Sequence, residues 1–184
     1  MRAERLQTGD DRFLINRLIG QAPSHTLVRE FFMNAQENAA FAGEGQRRVR
    51  IYPTEIEGVR KLTFWNTGPG MDASELRVAT NLSSSVNKPM ALDENYAIGA
   101  KVSGLTVSPA GIRYRSCKDG VVNEVTIGYD EDAETYIRYP VQFPDGREDT
   151  VYEVTDLARM DRHMTDFDWT EVVLLGEGED HDTV

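Results

Sequence analysis

The sequence is poor in the residues that cross-link or anchor a chain. Cys117 is the one cysteine among 184 residues, so an internal disulfide is excluded, and no His/Cys cluster points to a metal. No run of about 18 apolar residues occurs, which excludes a membrane-spanning helix. The first 11 residues lack the apolar core of a secretion signal. A cytoplasmic protein with no membrane partner is therefore the expectation.

Positive charge is also scarce. Twenty Lys and Arg residues stand against 31 Asp and Glu residues, which gives a formal net charge of −11. Such a surface repels nucleic-acid phosphates and anionic lipids, so direct nucleic-acid binding is not expected and any anion site must be local. With 40% hydrophobic residues, the chain has the length and composition of one globular domain that buries a sizeable core.

The N-terminal third of the chain has helical periodicity. Apolar residues recur at helical spacing from 10 to 42, with a break at 20–23. Ser24 suits the N-cap of a second helix over 24–42. Two consecutive helices are therefore predicted before the first strand.

Extended segments dominate the remainder. Glu57-Gly58 and Asp119-Gly120 each lie between two extended runs and predict hairpin turns. The other predicted elements are, in chain order, strands over 48–52 and 59–65, a capping box from Asp72 to Glu75, a polar loop over 81–95, a short helix over 98–105, and strands over 111–116, 121–129, 135–139 and 170–175.

This order of elements predicts an α/β (α+β) fold built as a two-layer sandwich. The economical arrangement is one mixed, mainly antiparallel sheet with helices on one face. The acidic residues 177–184 have no hydrophobic anchor, and a disordered tail is expected there.

Polar residues follow one side of the predicted second helix. Glu30 and Asn34 are four residues apart and share a face, which Glu37 and Asn38 extend. A carboxylate can act as a base toward water, and an amide oxygen can bind Mg²⁺. An isolated pair of this kind is more often a solvated helix edge.

Two glycine-containing segments lie further along. In the turn from Asn66, Gly68 and Gly70 permit a sharp bend and a close ligand approach, and Asn66 directs an amide toward the same cleft. Gly99 at a helix start offers free N–H groups to an anion, and Lys101 adds a charge. Taken singly, each segment also fits an ordinary turn or helix start.

In chain order, these segments resemble the N, G1 and G2 boxes of the GHKL ATPases. That superfamily includes gyrase B, the ninety-kilodalton heat-shock chaperone, histidine kinases, MutL and the MORC proteins. Residues 30–39 resemble its E-L-x-x-N-x-x-D-A helix, and Asn-Thr-Gly-Pro-Gly-Met at 66–71 differs by one letter from D-x-G-x-G-M. The strand from Trp169 resembles the closing G-T-x-V-x-L. The resemblance spans about residues 13–176 and implies the Bergerat fold.

The resemblance implies ATP and Mg²⁺ as cofactors and assigns roles to residues. Glu30 would be the general base, and Asn34 would hold Mg²⁺. Gly68 and Gly70 would admit the purine ring beside Met71. The remaining implied contacts are the lid over 81–98 with Ser85 and Lys88, the phosphate cradle of Gly99, Ala100 and Lys101, and Thr170 at the base.

Two positions depart from the family pattern. Asn66 replaces an aspartate that accepts a charge-assisted hydrogen bond from adenine, which weakens that bond by about 1–2 kcal/mol, or about tenfold in affinity. The Asn66 amide can also donate to the O6 atom of guanine, so the base preference stays open. Ala97 stands where relatives often have glycine, which implies a stiffer lid.

These observations favour Mg²⁺-dependent ATP binding with slow hydrolysis, as an ATP-gated conformational or dimerisation switch. Glu30 four residues before Asn34 indicates an ATPase of the hydrolytic MORC/chaperone-like branch. One alternative is a nucleotide-sensing or dimerisation module without turnover. A protein kinase of the same superfamily is the weaker alternative, because His25, His163 and His181 show no phosphoacceptor helix.

The implied ATP-binding domain covers 1–176. In relatives of the gyrase type a transducer domain follows and delivers a further lysine to the nucleotide. We expect no such domain in the residues after Thr170, so either the sequence is an excised ATPase domain or a partner completes the site. A homodimer, or a separate effector or transducer domain, is therefore the expected partner.

Overall fold

The computed structural model describes residues 11–21, 24–81 and 96–184, and these parts contain five α-helices, one 3₁₀ turn and nine strands. In chain order they are α1 (Asp11–Gly20), a 3₁₀ turn (Ser24–Thr26), α2 (Leu27–Ala40), β1 (Val49–Ile56), β2 (Val59–Thr67), α3 (Ala73–Ala79), α4 (Tyr96–Val107), β3 (Gly111–Lys118), β4 (Val121–Asp130), β5 (Thr135–Arg138), β6 (Val141–Gln142), β7 (Glu148–Asp149), β8 (Tyr152–Glu153), α5 (Thr155–Met160) and β9 (Trp169–Gly176). None of these helices is long and apolar enough to cross a membrane.

Two tight hairpins organise the sheet. Between β1 and β2, Glu57 and Gly58 have φ values of 51° and 80°, and between β3 and β4, Asp119 and Gly120 have values of 52° and 82°. Two consecutive residues with positive φ form the turn whose twist matches that of the flanking strands. Both hairpins predicted from the sequence are confirmed.

The last strand lies in the middle of the sheet. The strand order is β1-β2-β9-β3-β4-β5, each of these pairs is antiparallel, and β8 pairs with the far side of β4. Because β9 enters between β2 and β3, Asn66 stands opposite Thr170, and Thr170 stands opposite Ser116. Two segments more than 100 residues apart are thus brought into one register.

Helices α1, α2 and α4 cover one face of this sheet and form the main core with it. Phe64, Ile112 and Val172 of the sheet pack with Phe31 of α2 and Leu105 of α4. Alternation along the strands turns the neighbouring residues to the opposite face. The predicted two-layer sandwich with a mainly antiparallel sheet is confirmed.

A smaller core lies on the opposite face. Trp65, Cys117 and Trp169 pack there with Ala158 of α5, and Phe167 lies beside them. The short helix α5 and the segment after it therefore cover part of the face that α1, α2 and α4 leave open.

Helix boundaries differ from the sequence prediction in two places. Helix α2 begins at Leu27, because Ser24 belongs to a 3₁₀ turn, so Thr26 and not Ser24 occupies the N-cap position. Helix α4 begins at Tyr96, two residues earlier than predicted. The predicted capping box of α3 is present, with Asp72 and Glu75 each bonding the other's backbone N–H.

The acidic C-terminal segment is hydrogen-bonded to β2, in contrast to the expected disordered tail. The Lys61 ammonium, 2% exposed, donates to the carbonyls of Leu175, Gly178 and His181 at 2.7–3.0 Å. The Thr183 N–H donates to the Arg60 carbonyl at 3.1 Å. This segment thus bonds backbone groups of β2 that lie beyond the end of β9 and that β9 does not pair with.

Candidate functional site

A cavity of about 220 Å³ lies between α2, α4 and the helix-facing side of β2, β3 and β9. The stacked rings of Phe31 and Phe64, with centroids 5.1 Å apart, form part of its apolar wall. The polar side chains on its lining are Asn34, Asn38, Asn66, Lys101, Tyr114 and Thr170. The cavity therefore combines a flat apolar wall with a few polar groups, as ligand sites commonly do.

Helix α2 contributes two amides to the cavity. Asn34 and Asn38 are one helical turn apart and both line it, whereas Phe31 and Ala35 anchor the same helix in the core. Neither amide has a hydrogen-bond partner among residues 11–21, 24–81 and 96–184. Within these residues, nothing bonds the two amides in place of a ligand.

Glu30 lies one turn before Asn34 and is half-buried. It is not among the side chains that line the cavity. Within the described parts of the chain, its carboxylate has no hydrogen-bond or ion-pair partner.

The Asn66 amide has a defined orientation. Its Nδ2 atom donates to the Thr67 carbonyl at 3.0 Å, and the side chain is 4% exposed. This bond assigns the two ends of the amide. The Oδ1 atom is then the acceptor end of an amide that lines the cavity.

A chain of hydroxyl groups fixes the floor beside Asn66. The Ser116 and Thr170 hydroxyls are 3.0 Å apart, and the Met71 N–H donates to Ser116 Oγ at 2.8 Å. Ser116 therefore ties β3, β9 and the turn before α3 to one another. Its role was not predicted from the sequence, because it depends on β9 pairing with β3.

The glycines of the turn allow backbone to pack on backbone. An added Cβ at Gly68, whose φ is 140°, would overlap the Asn38 carbonyl at the end of α2. At Gly70 it would overlap the Cys117 carbonyl of β3. The space in front of both Cα atoms is therefore filled by the protein itself, and neither glycine lines the cavity.

Lys101 lines the cavity with its ammonium already bonded. Its Nζ atom donates to the Ala79 carbonyl at 2.6 Å and approaches the Asn81 carbonyl at 3.4 Å, and the side chain is 3% exposed. Burial, with a smaller contribution from nearby Arg138, lowers the pKa of Lys101 to about 8. In this structure Lys101 caps the C-terminal end of α3.

The residue at which α4 begins alters the prediction that Gly99, Ala100 and Lys101 form a phosphate cradle. Because α4 begins at Tyr96, Ala100 and Lys101 lie in its second turn, where backbone N–H groups are bonded within the helix. Gly99 is the fourth residue of α4 and not its first. The free N–H groups expected at Gly99 therefore belong to residues before it.

The side chains that line the cavity suit a Mg²⁺ ion whose other ligands come from phosphates and water, and they do not suit a metal ion held by protein groups alone. Among the residues that the structure describes, no group of three or more His, Cys, Asp or Glu side chains is arranged for a metal ion. Protein-bound Mg²⁺ often has one or two protein oxygens, with phosphates and waters as its other ligands. The unpaired Asn34 amide is suited to supply one such oxygen.

Six of the predicted site residues come together on the cavity, namely Asn34, Asn66, Met71, Ala100, Lys101 and Thr170. Glu30, Gly68 and Gly70 are close in sequence to residues that line the cavity, but they do not line it themselves. Ser85 and Lys88 lie outside the described residues, and Gly99 is the fourth residue of α4. Asn38 is the lining residue that helical spacing from Asn34 could have predicted.

The fold and the cavity together define a class of protein: an α/β sandwich with a polar-edged pocket between its second helix and its sheet. No protein-family model matches the chain, and no curated protein matches it. Among solved structures, it is similar to the B subunit of the DNA gyrase from Myxococcus xanthus, with a TM-score of 0.50 and 20% identity.

That match covers 88% of this chain and 39% of the gyrase chain, so the chain spans less than half of the length of the gyrase protein. At this level of identity the likeness shows a shared fold. It gives no support to the MORC/chaperone-like branch in particular.

Proposed function

We propose that this chain is a GHKL-type domain that binds ATP with Mg²⁺ in the cavity and hydrolyses it slowly. The observation that carries the proposal is the meeting of Asn34, Asn66 and Thr170 on one cavity. These residues come from three separated motifs, in a chain that shares the fold of a gyrase B protein. Residues that share only a chance resemblance to motifs have no reason to converge in this way.

The geometry favours adenine over guanine as the base. The Oδ1 atom of Asn66 is an acceptor, which suits the amino group of adenine, whereas guanine has at the same ring position an O6 atom that needs a donor. The volume of about 220 Å³ is below that of sites for whole drug-sized ligands, which start at about 300 Å³. We therefore assign the base to the cavity and the phosphates to the space beyond it.

The amide of Asn34 would contribute an oxygen to Mg²⁺, which neutralises charge on the phosphates when it is bound. Glu30, one turn before it, would orient the attacking water, so Glu30→Gln should remove turnover and leave binding largely intact. A phosphate contact by Lys101 requires its ammonium to leave the Ala79 carbonyl.

Glu30 supports a hydrolytic branch over the kinases, and membership of the MORC/chaperone-like branch rests on the sequence motifs alone. We propose an ATP-dependent homodimer or a separate effector domain as the partner that completes the site. A nucleotide-sensing module without turnover is the second candidate, favoured by the position of Glu30 off the cavity lining.

The proposal is tested by thermal unfolding with ATP, ADP and GTP, each with and without Mg²⁺. A bound ligand stabilises the folded state by mass action, so ATP should raise the Tm more than GTP. Asn34→Ala should remove the Mg²⁺-dependent part of the rise. Gln36→Ala, an exposed position on the same helix, is the control and should retain it. No rise with any nucleotide, or an equal rise in Asn34→Ala, contradicts the proposal.

A further inference from the structure

The face of the sheet opposite α2 and α4 carries a row of charged and aromatic side chains. Arg50, Trp65, Glu171, Arg115 and Glu124 are direct cross-strand neighbours on β1, β2, β9, β3 and β4 in turn. A cleft of about 620 Å³ lies over this row, bounded by the segment that follows α5. We call it the arginine cleft.

Most charged groups on the floor of the cleft are paired. Arg115 donates to Glu124 at 2.5 Å and to Asp161 at 2.7 Å. The Tyr52 hydroxyl donates to Glu171 Oε2 at 2.8 Å. The bond from Tyr52 satisfies the Oε2 atom of Glu171 and leaves its Oε1 atom without a donor.

Two buried polar atoms on this floor have no hydrogen-bond partner among the residues that the structure describes. They are the Oε1 atom of Glu171, whose side chain is 1% exposed, and the Nε atom of Arg113, whose side chain is 15% exposed. The Glu171 atom is an acceptor without a donor, and the Arg113 atom is a donor whose nearest ion-pair partner, Glu124 Oε2, is 4.0 Å away, too far for a hydrogen bond. Buried polar atoms are nearly always bonded, so this pair points to a group that is bound there.

The mouth of the cleft is positive although the chain as a whole is acidic. Arg48, Arg50 and Arg162 line it, all three are exposed, and none has an ion-pair partner in the parts of the chain that the structure describes. Arg50 lies over the Trp65 ring, with its guanidinium carbon 5.3 Å from the ring centroid. In a chain of net charge −11, this is a local site for an anion.

We infer that the arginine cleft binds a small, multiply charged organic anion that also carries a hydrogen-bond donor. A carboxylate or phosphate group pairs with Arg113 and the arginines at the mouth. A hydroxyl or amino group of the same molecule donates to Glu171 Oε1. The volume of about 620 Å³ is within the range of small-molecule sites.

A small ligand fits better than a polyanionic chain. Glu55, Asp161 and Glu171 also line the cleft, so an extended nucleic acid or acidic peptide would meet like charge along its length. A compact anion can pair with the arginines and place one donor on Glu171. The cleft lies on the opposite face of the sheet from the proposed nucleotide cavity, so the two inferences stand or fall separately.

Tryptophan fluorescence is a selective probe of this cleft. The chain has two tryptophans, Trp65 and Trp169, and both line the arginine cleft, whereas neither lines the proposed nucleotide cavity. Malate and succinate differ by one hydroxyl donor, and glycerol 2-phosphate replaces carboxylate by phosphate. At low ionic strength, malate or glycerol 2-phosphate should give a saturable change, and succinate should bind at least about tenfold more weakly.

Two substitutions locate the effect. Arg113→Met should weaken binding about 10- to 100-fold, because it removes the charged donor without breaking a close ion pair. Glu171→Gln should remove the preference for malate over succinate. Arg29→Gln, an exposed position on α2, should bind as the unaltered chain does. Circular dichroism confirms that each variant is folded.

Three outcomes overturn the inference. They are no saturable change with either donor-bearing anion, an unchanged response in folded Arg113→Met, or a response confined to an oligothymidylate or a polyglutamate chain. The last outcome would identify a macromolecular partner in place of a small ligand. A failure of ATP to bind has no bearing on any of these results.

Discussion

Asn66 presents one acceptor to the cavity because the Thr67 carbonyl holds its amide nitrogen. The sequence alone left the orientation of this amide open, since either end can face a base. Only the backbone geometry at the end of β2 decides between them. At the scale of single residues, neighbouring carbonyls thus determine what the cavity can recognise.

Asn66→Asp should tighten ATP binding by up to about tenfold, because a carboxylate accepts a charge-assisted bond from the adenine amino group. The affinity of this variant for GTP should not rise. The same change removes the donor to the Thr67 carbonyl and should cost about 1–2 kcal/mol of unfolding free energy. Calorimetric titration and urea unfolding measure the two effects, and unchanged ATP affinity would show that Asn66 does not contact the base.

Gly70→Ala should destabilise the fold by about 3 kcal/mol or more, because the new methyl group overlaps a backbone carbonyl that cannot turn aside. Gly20→Ala is a matched control, since nothing lies within 4 Å of its added Cβ. Urea unfolding measures the difference. A stable Gly70→Ala variant that has lost only nucleotide binding would instead support the role of admitting the purine ring.

At the scale of helices and strands, local sequence signals were the reliable ones. The Glu57-Gly58 and Asp119-Gly120 turns and the capping box at Asp72 each depend on residues within four positions, and all three are present. Structural features that depend on residues far apart in the chain were not predicted from the sequence. The C-terminal segment is acidic in sequence, yet its order depends on Lys61, more than 100 residues earlier.

Helices α3 and α4 are joined by the buried ammonium of Lys101, which makes their contact sensitive to pH. Its pKa is about 8 in the folded chain and near 10.5 when unfolded. Between these values the unfolded chain binds more protons, so this group makes stability rise with pH.

The Lys101→Met variant should lack this pH-dependent contribution to the free energy of unfolding. Relative to the variant, the unaltered chain should gain about 2 kcal/mol of unfolding free energy between pH 7.5 and 9.5. Urea unfolding of both proteins at the two pH values measures the difference. A difference that does not change with pH would mean that the ammonium is not desolvated at the end of α3.

At the scale of the whole molecule, the insertion of β9 between β2 and β3 generates both candidate sites. It brings Thr170 opposite Asn66 on the helix-covered face and Glu171 opposite Trp65 and Arg115 on the other face. The sequence predicted β9 as a strand but could not place it, because register across distant strands is set by packing and not by local pattern. The cavity could be predicted from motifs, whereas the arginine cleft could not.

Binding of ATP in the cavity between α2 and β9 is tested most directly by the ε-methyl groups of methionine. Met71 lines this cavity, and Met164 lines the arginine cleft. In a chain with ¹³C-labelled methionine methyl groups, titration with Mg²⁺ and a non-hydrolysable ATP analogue should shift the Met71 signal saturably, because the adenine ring stacks nearby. The Met164 signal should stay in place. An unshifted Met71 signal, or a shift confined to Met164, would contradict the assignment of the nucleotide to this cavity.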